Sequence, residues 1–146
     1  MYMAEPAAKE GDEISSDGTN TVWIQILSPS GKPTDSLASF TYKGSIDKSC
    51  SSNVFILSKP AARSDSEATS NSTPKSGDQL GGGTVVNTVK NNATIEKGSS
   101  TVFINEKQAV RDKDDANTWT FPSPSSTTLQ VTNAKVNATG SVYIGD

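Results

Sequence analysis

The apolar residues of this 146-residue chain fall in short β-branched bursts, not at helical spacing. The clearest burst is a small polar lead-in, then valine, an aromatic and isoleucine. It reads Thr21-Val22-Trp23-Ile24, Asn53-Val54-Phe55-Ile56, Thr101-Val102-Phe103-Ile104 and Ser141-Val142-Tyr143-Ile144. Alternating β-branched and aromatic residues bounded by Ser, Gly, Asn and Pro predict strands. The chain therefore reads as strands over 20–27, 39–43, 53–58, 84–86, 93–96, 101–105, 129–132, 135–136 and 141–144. A turn cluster, 28–33, suggests that 21–27 and 39–43 form a hairpin. Residues 64–80 and 112–127 read as long solvated insertions, the first with room for a short helical turn. The bursts are unevenly spaced, which excludes the regular beat of a solenoid. A few strand units arranged around a centre fit better, and little helix is expected.

Composition sharpens this picture. Only 32% of residues are hydrophobic and 6% aromatic, so any β core must be thin. Such a domain is marginal alone and gains from docking onto a partner. The simplest organisation is one domain over 1–146, with insertions at about 21–48, 64–80 and 112–137. The formal net charge is −3 and no Lys/Arg cluster occurs, which argues against a nucleic-acid partner. No apolar run approaches a membrane span. The first residues lack a basic start and an apolar stretch, so synthesis in a cytoplasm is expected.

Candidate chemistry is sparse. Histidine is absent and Cys50 is the sole cysteine, which rules out Ser/His and Cys/His pairs and an ordinary zinc site within one chain. Asp112, Asp114 and Asp115 lack the glycine and distal glutamate of an EF-hand. Gly81-Gly82-Gly83-Thr84 lacks the lysine and helix of a phosphate loop. Trp23 and Trp119 read as core or docking anchors, with sugar stacking as the alternative. No enzymatic site emerges.

Two of the bursts carry a common sequel, Lys59-Pro60-Ala61-Ala62-Arg63 and Lys107-Gln108-Ala109-Val110-Arg111. Together with Val54, Phe55 and Ile56, and with Val102, Phe103 and Ile104, they resemble the repeat of PAAR-repeat proteins. Those are the spike-tip proteins of type VI secretion systems, contractile phage tails and related injection machines. The segment from Pro6, Ala7 and Ala8 to Asp12 resembles the family's opening half-repeat. Val142, Tyr143 and Ile144 resemble its closing half. Joined, the halves make a third unit beside 53–63 and 101–111. The copy at Val22-Trp23-Ile24 falls outside the pattern and reads as an extra hairpin strand.

The resemblance implies an all-β, small, conical, pseudo-threefold domain of short hairpins. It implies a structural, non-enzymatic role: one tip capping a homotrimeric spike in a baseplate or injection particle, and touching the target cell envelope transiently. Cargo carried by the tip is a further possible partner. The family's usual His/Cys metal site is lost here, so no cofactor is expected. Val and Ile of each burst are expected on one strand face, with Phe55, Phe103 and Tyr143 on the other. Arg63 and Arg111 are candidates for pairing with Asp65, Asp112 or Asp114. The alternative function is a surface β-module for adhesion or glycan binding.

Overall fold

The computed structural model describes residues 4–16, 18–80, 82–88, 91–122 and 129–146, without the side chains of 87, 119–122 and 129–133. Among the described residues there is no helix. In chain order the strands are β1 (Ala4–Pro6), β2 (Glu13–Ser16), β3 (Asn20–Leu27), β4 (Pro33–Phe40), β5 (Lys43–Lys48), β6 (Phe55–Ile56), β7 (Lys59–Pro60) and β8 (Glu67–Ser70). There follow β9 (Gln79–Leu80), β10 (Gly83–Asn87), β11 (Asn92–Ile95), β12 (Phe103–Ile104), β13 (Lys107–Gln108), β14 (Asp115–Pro122), β15 (Leu129–Asn137) and β16 (Tyr143–Gly145).

Six of these close into an antiparallel barrel in the order β2-β5-β8-β11-β14-β15. This is chain order, so each outgoing strand (β2, β8, β14) is followed by a returning one (β5, β11, β15). Because neighbours are antiparallel, the two kinds of connection lie at opposite ends of the barrel. Each returning strand feeds a short hairpin and a tight turn before the next outgoing strand. The hairpins are β6-β7, β12-β13 and β16-β1, all at one end. The last joins strands from the two ends of the sequence, Glu5 opposite Ile144 and Pro6 opposite Tyr143.

The opposite end is irregular. The connection 17–42 carries the β3-β4 hairpin, and 71–91 carries β9 and β10. These four form a sheet in the order β4-β3-β10-β9. The inward residues Val22, Ile24 and Ile26 of β3, and Val85 of β10, belong to the same buried cluster as the barrel core. Every second residue of β3 thus extends that core, as strand alternation dictates. The Val22-Trp23-Ile24 copy is indeed a hairpin strand. Its partner is 33–40, not 39–43, with Asn20 opposite Phe40 and Leu27 opposite Pro33.

The core is small because it is built from small residues. Ile14, Ile46, Ile95 and Val136 fill it together with Ala68, Ala93, Ala116 and Ala134, all buried. A six-stranded barrel is narrow, and alternating large and small side chains fill such an interior without voids. Tyr42, between β4 and β5, is also fully buried. Its hydroxyl donates to Ala68 O at 3.2 Å or Asn91 O at 3.1 Å. Gly44 leaves it room, since a Cβ there would sit 2.8 Å from that hydroxyl. Burial, reinforced by the nearby Asp47 carboxylate, pushes the Tyr42 phenol well above its usual range.

Several expectations are corrected. Residues 64–80 are not one solvated loop with a helical turn: β8 runs through them as a barrel strand, with Ser66, Ala68 and Ser70 buried. Likewise β5 belongs to the barrel, not to an insertion over 21–48, and β14 and β15 occupy most of 112–137. The two short strands expected at 129–132 and 135–136 are a single strand, β15. The ordered strands of the motifs are two residues long, narrower than 53–58 and 101–105. The expected anchor role of Trp119 concerns a side chain outside the described residues.

Candidate functional site

The three units meet on an axis at the hairpin end. Ala8 N donates to Val110 O at 2.9 Å, Val110 N to Ala62 O at 3.3 Å, and Ala62 N to Ala8 O at 3.0 Å. The three bonds close a ring. A second set repeats the geometry one step outward: Glu10 N to Pro60 O, Ser64 N to Gln108 O and Asp112 N to Pro6 O, each 2.8 Å. A third set secures each hairpin to its unit, Ala7 N to Val142 O, Ala61 N to Val54 O and Ala109 N to Val102 O, at 2.8–2.9 Å. Backbones can approach this closely only where side chains are small. Ala7, Ala8, Ala61, Ala62, Ala109 and Val110 are all buried there.

The turns that follow are equivalent as well. Gly11, Asp65 and Lys113 all have φ between 70° and 93°. In each turn the residue four positions past Ala8, Ala62 or Val110 caps a backbone N–H: Asp12 accepts from Lys9 N, Ser66 from Arg63 N and Asp114 from Arg111 N, at 2.8–3.0 Å. Arg111 also pairs with Asp114 at 2.9 Å in a mostly buried contact, and Lys9 pairs with Asp12 at 3.0 Å. Of the pairings expected for the two arginines, Arg111 with Asp114 is therefore found. Arg63 instead faces the uncharged Ser66 and donates from Nε to Ser49 O at 3.3 Å. Asp65 binds Lys107 at 2.8 Å, and Asp112 accepts from Ala138 N. Lys59 and Pro60 form β7, the return strand of the first hairpin.

The hairpins interlock. Ile56, Ile104 and Ile144 turn inward and bury against Ala7, Ala61 and Ala109 in a second, smaller cluster. The residue after each isoleucine reaches the next unit. Asn105 accepts from Ser51 Oγ at 2.5 Å and donates to Asn53 Oδ1 at 2.8 Å. Gly145 O accepts from Ser99 Oγ at 2.7 Å. Leu57 lies against Gly140, where a Cβ would come within 2.9 Å of Leu Cδ1. Both hairpin turns have positive φ at two consecutive residues, 49° and 68° at Leu57 and Ser58, and 51° and 68° at Asn105 and Glu106. That φ pattern belongs to the tight turns that match strand twist, and it normally selects Asn or Gly. For an ordinary side chain the left-handed region costs roughly 1–2 kcal/mol.

The outer face of this ring is apolar. Phe55, Phe103 and Tyr143 are 58%, 56% and 60% exposed, and Val54, Val102 and Val142 between 36% and 40%. The aromatic side chains do oppose the isoleucines, as alternation requires. The valines, expected to share the isoleucines' buried face, are instead part of the exposed ring. They precede the short strands of two or three residues and lie outside the pleat that buries the isoleucines. Seven large apolar residues, counting Leu57, thus stand exposed at one end in three nearly matched groups. Scattered exposed hydrophobics are ordinary, but a contiguous set marks an interaction surface.

A family model for the PAAR motif matches residues 39–117. This chain belongs to the PAAR-motif family. The match spans the first two full units, from the end of β4 into β14, and the hydrogen-bond rings above extend the same geometry to the unit made by 4–12 and 138–146. PAAR-motif proteins are structural spike-tip components of contractile injection and type VI secretion particles. No curated protein and no solved structure matches the chain. No helix among the described residues is long and apolar enough to cross a membrane.

The metal that the family resemblance implies does not fit the donor set of this chain. Cys50 is half-buried beside the barrel core, its Sγ 3.9 Å from Lys48 O. Burial pushes its thiol above the ordinary range, against the thiolate that a metal needs. Among the described residues, no three carboxylate or thiol groups converge.

Proposed function

We propose that this chain caps the end of a homotrimeric spike, one copy per trimer, through the apolar ring at its hairpin end. The supporting observation is the matched exposure of Phe55, Phe103 and Tyr143, each flanked by its valine, around a pseudo-threefold axis. A trimer presents three identical surfaces around its own axis, and three similar faces on one chain can meet them together. Burying the ring also supplies apolar contact that a thin barrel core lacks. The barrel and its four-stranded sheet then point away from the spike, toward the target envelope. Contraction of the machine supplies the force, and the tip supplies a small, stiff contact. No catalytic step is needed, and cargo, if carried, attaches to the connections at that outer end.

The axis in this reading is closed by backbone hydrogen bonds and alanine packing, with no metal. Co-expression with the cognate spike trimer, followed by mass measurement of the purified complex, is expected to give one tip per trimer. Elemental analysis of the same complex is expected to show no stoichiometric zinc or iron, and one equivalent would overturn the closure by packing alone. A chain that ignores the trimer and instead binds glycans would replace this reading with an adhesion module.

A further inference from the structure

We propose that Leu57 is a docking anchor, held in a strained backbone conformation that favours binding over the stability of the isolated tip. The inference rests on the docking reading above and deepens it. Leu57, Asn105 and Gly145 each follow the buried isoleucine of their hairpin, so they occupy one position in three units. Two of them serve the fold. Asn105 bonds to Ser51 and Asn53, and Gly145 accepts from Ser99. Leu57 offers no such bond. It sits at φ 49°, almost the value of Asn105 at 51°, in a region that suits asparagine and disfavours a branched apolar side chain. Its side chain is nevertheless 51% exposed.

A leucine left half exposed at a strained turn position therefore carries a folding cost that its partial burial against Gly140 only partly offsets. Strain of this kind is retained where a site uses it. The position fits such a use. Leu57 is two residues from Phe55 and extends the outward apolar ring at the first unit alone. Gly140, itself at φ 146°, keeps the space that seats the leucine. The partner is the same spike trimer, and Leu57 gives one of its three equivalent surfaces a larger apolar contact than the other two.

The test is Leu57→Asn, which installs the residue used at the equivalent turn of the second unit. Binding to purified cognate spike trimer is measured beside thermal unfolding of the free tip, with wild type and the Phe55→Asp/Phe103→Asp/Tyr143→Asp protein as controls. The expected result is a Tm raised by about 2–4 °C and an affinity lowered about tenfold. Unchanged affinity, with wild type bound and the triple variant unbound, overturns the anchor role and leaves the docking reading standing. A lowered Tm beside lowered affinity also overturns it, because Leu57 would then serve the fold through Gly140. Wild type that fails to bind the trimer overturns the docking reading and this inference together.

Discussion

The two ends of the barrel are made by the same six strands yet obey different rules. At the hairpin end, three units agree in hydrogen bonding to within a few tenths of an ångström, in turn conformation and in the exposure of their aromatic residues. At the opposite end the two described connections differ: 17–42 holds a hairpin of two eight-residue strands, 71–91 holds strands of two and five residues, and the two combine into one lopsided sheet. The difference shows where geometry is constrained. Three chains of hydrogen bonds converging on one axis must stay alike, or the ring does not close. Connections on the far side of the barrel meet no such condition, and length and sequence are free to vary there.

The largest effect expected from breaking this contrast is on assembly. Replacing Phe55, Phe103 and Tyr143 together with aspartate removes the aromatic part of the apolar ring while changing residues that are more than half exposed. The circular dichroism spectrum is expected to stay native and trimer binding to fall below detection, since exposed aromatic anchors carry most of an interface's energy. Retained binding would place the docking surface elsewhere.

Packing at the two ends gives the next test. A Cβ on Gly98 would sit 2.1 Å from Ala109 O, inside the axial hydrogen-bond network, whereas one on Gly31 in the β3-β4 turn meets nothing within 4 Å. Gly98→Ala is expected to destabilise the domain by about 3 kcal/mol or more. Gly31→Ala, at φ 84°, is expected to cost only about 1 kcal/mol of backbone strain. Equal losses in urea unfolding would erase the distinction between a tight end and a loose one.

The smallest effect concerns the seam between them. Tyr42 closes the step from the outer sheet to the barrel, and Tyr42→Phe leaves Ala68 O or Asn91 O without its hydroxyl donor, at about 1–2 kcal/mol. The phenol must remain neutral in the folded chain, whereas in the unfolded chain it ionises near pH 10. Its contribution is therefore constant below about pH 10 and falls as pH rises beyond it. Urea titrations at pH 8 and above pH 10 are expected to show that extra alkaline loss in wild type and not in Tyr42→Phe.

How much of this was legible in the sequence follows from the size of the side chains. The hairpins were readable because Val, Phe and Ile in fixed order leave a strong strand signal, and the alanines after them mark a crowded axis. The joining of 6–12 with 141–144 into one unit is readable from the half-repeats, and the structure adds the strand register of 4–6 against 143–145. The barrel strands were hidden. β8 is Glu67-Ala68-Thr69-Ser70, whose inward residues are alanine and serine, and a narrow barrel asks for such residues where a hydrophobicity pattern looks for larger ones. The valines misled for a related reason. Period-two reasoning put Val54 beside Ile56, but the strand begins only at Phe55, so the alternation does not reach back to the valine. The arginine pairing was legible for Arg111 because Asp114 lies three residues on, and failed for Arg63 because Ser66 stands at the equivalent place.

The third hairpin joins residues 4–6 to residues 143–145. Contacts so distant along a chain are slow to form, because the intervening segment must be ordered or its loop entropy lost before they contribute. Two of the three aromatic faces belong to local hairpins closed by two-residue turns, and these can form while synthesis continues. The last face exists only once residue 145 has been made and has found residue 4. A tip lacking that pairing therefore presents two faces to a partner that offers three, and the order of folding by itself delays capping until residues 4 to 145 are in place.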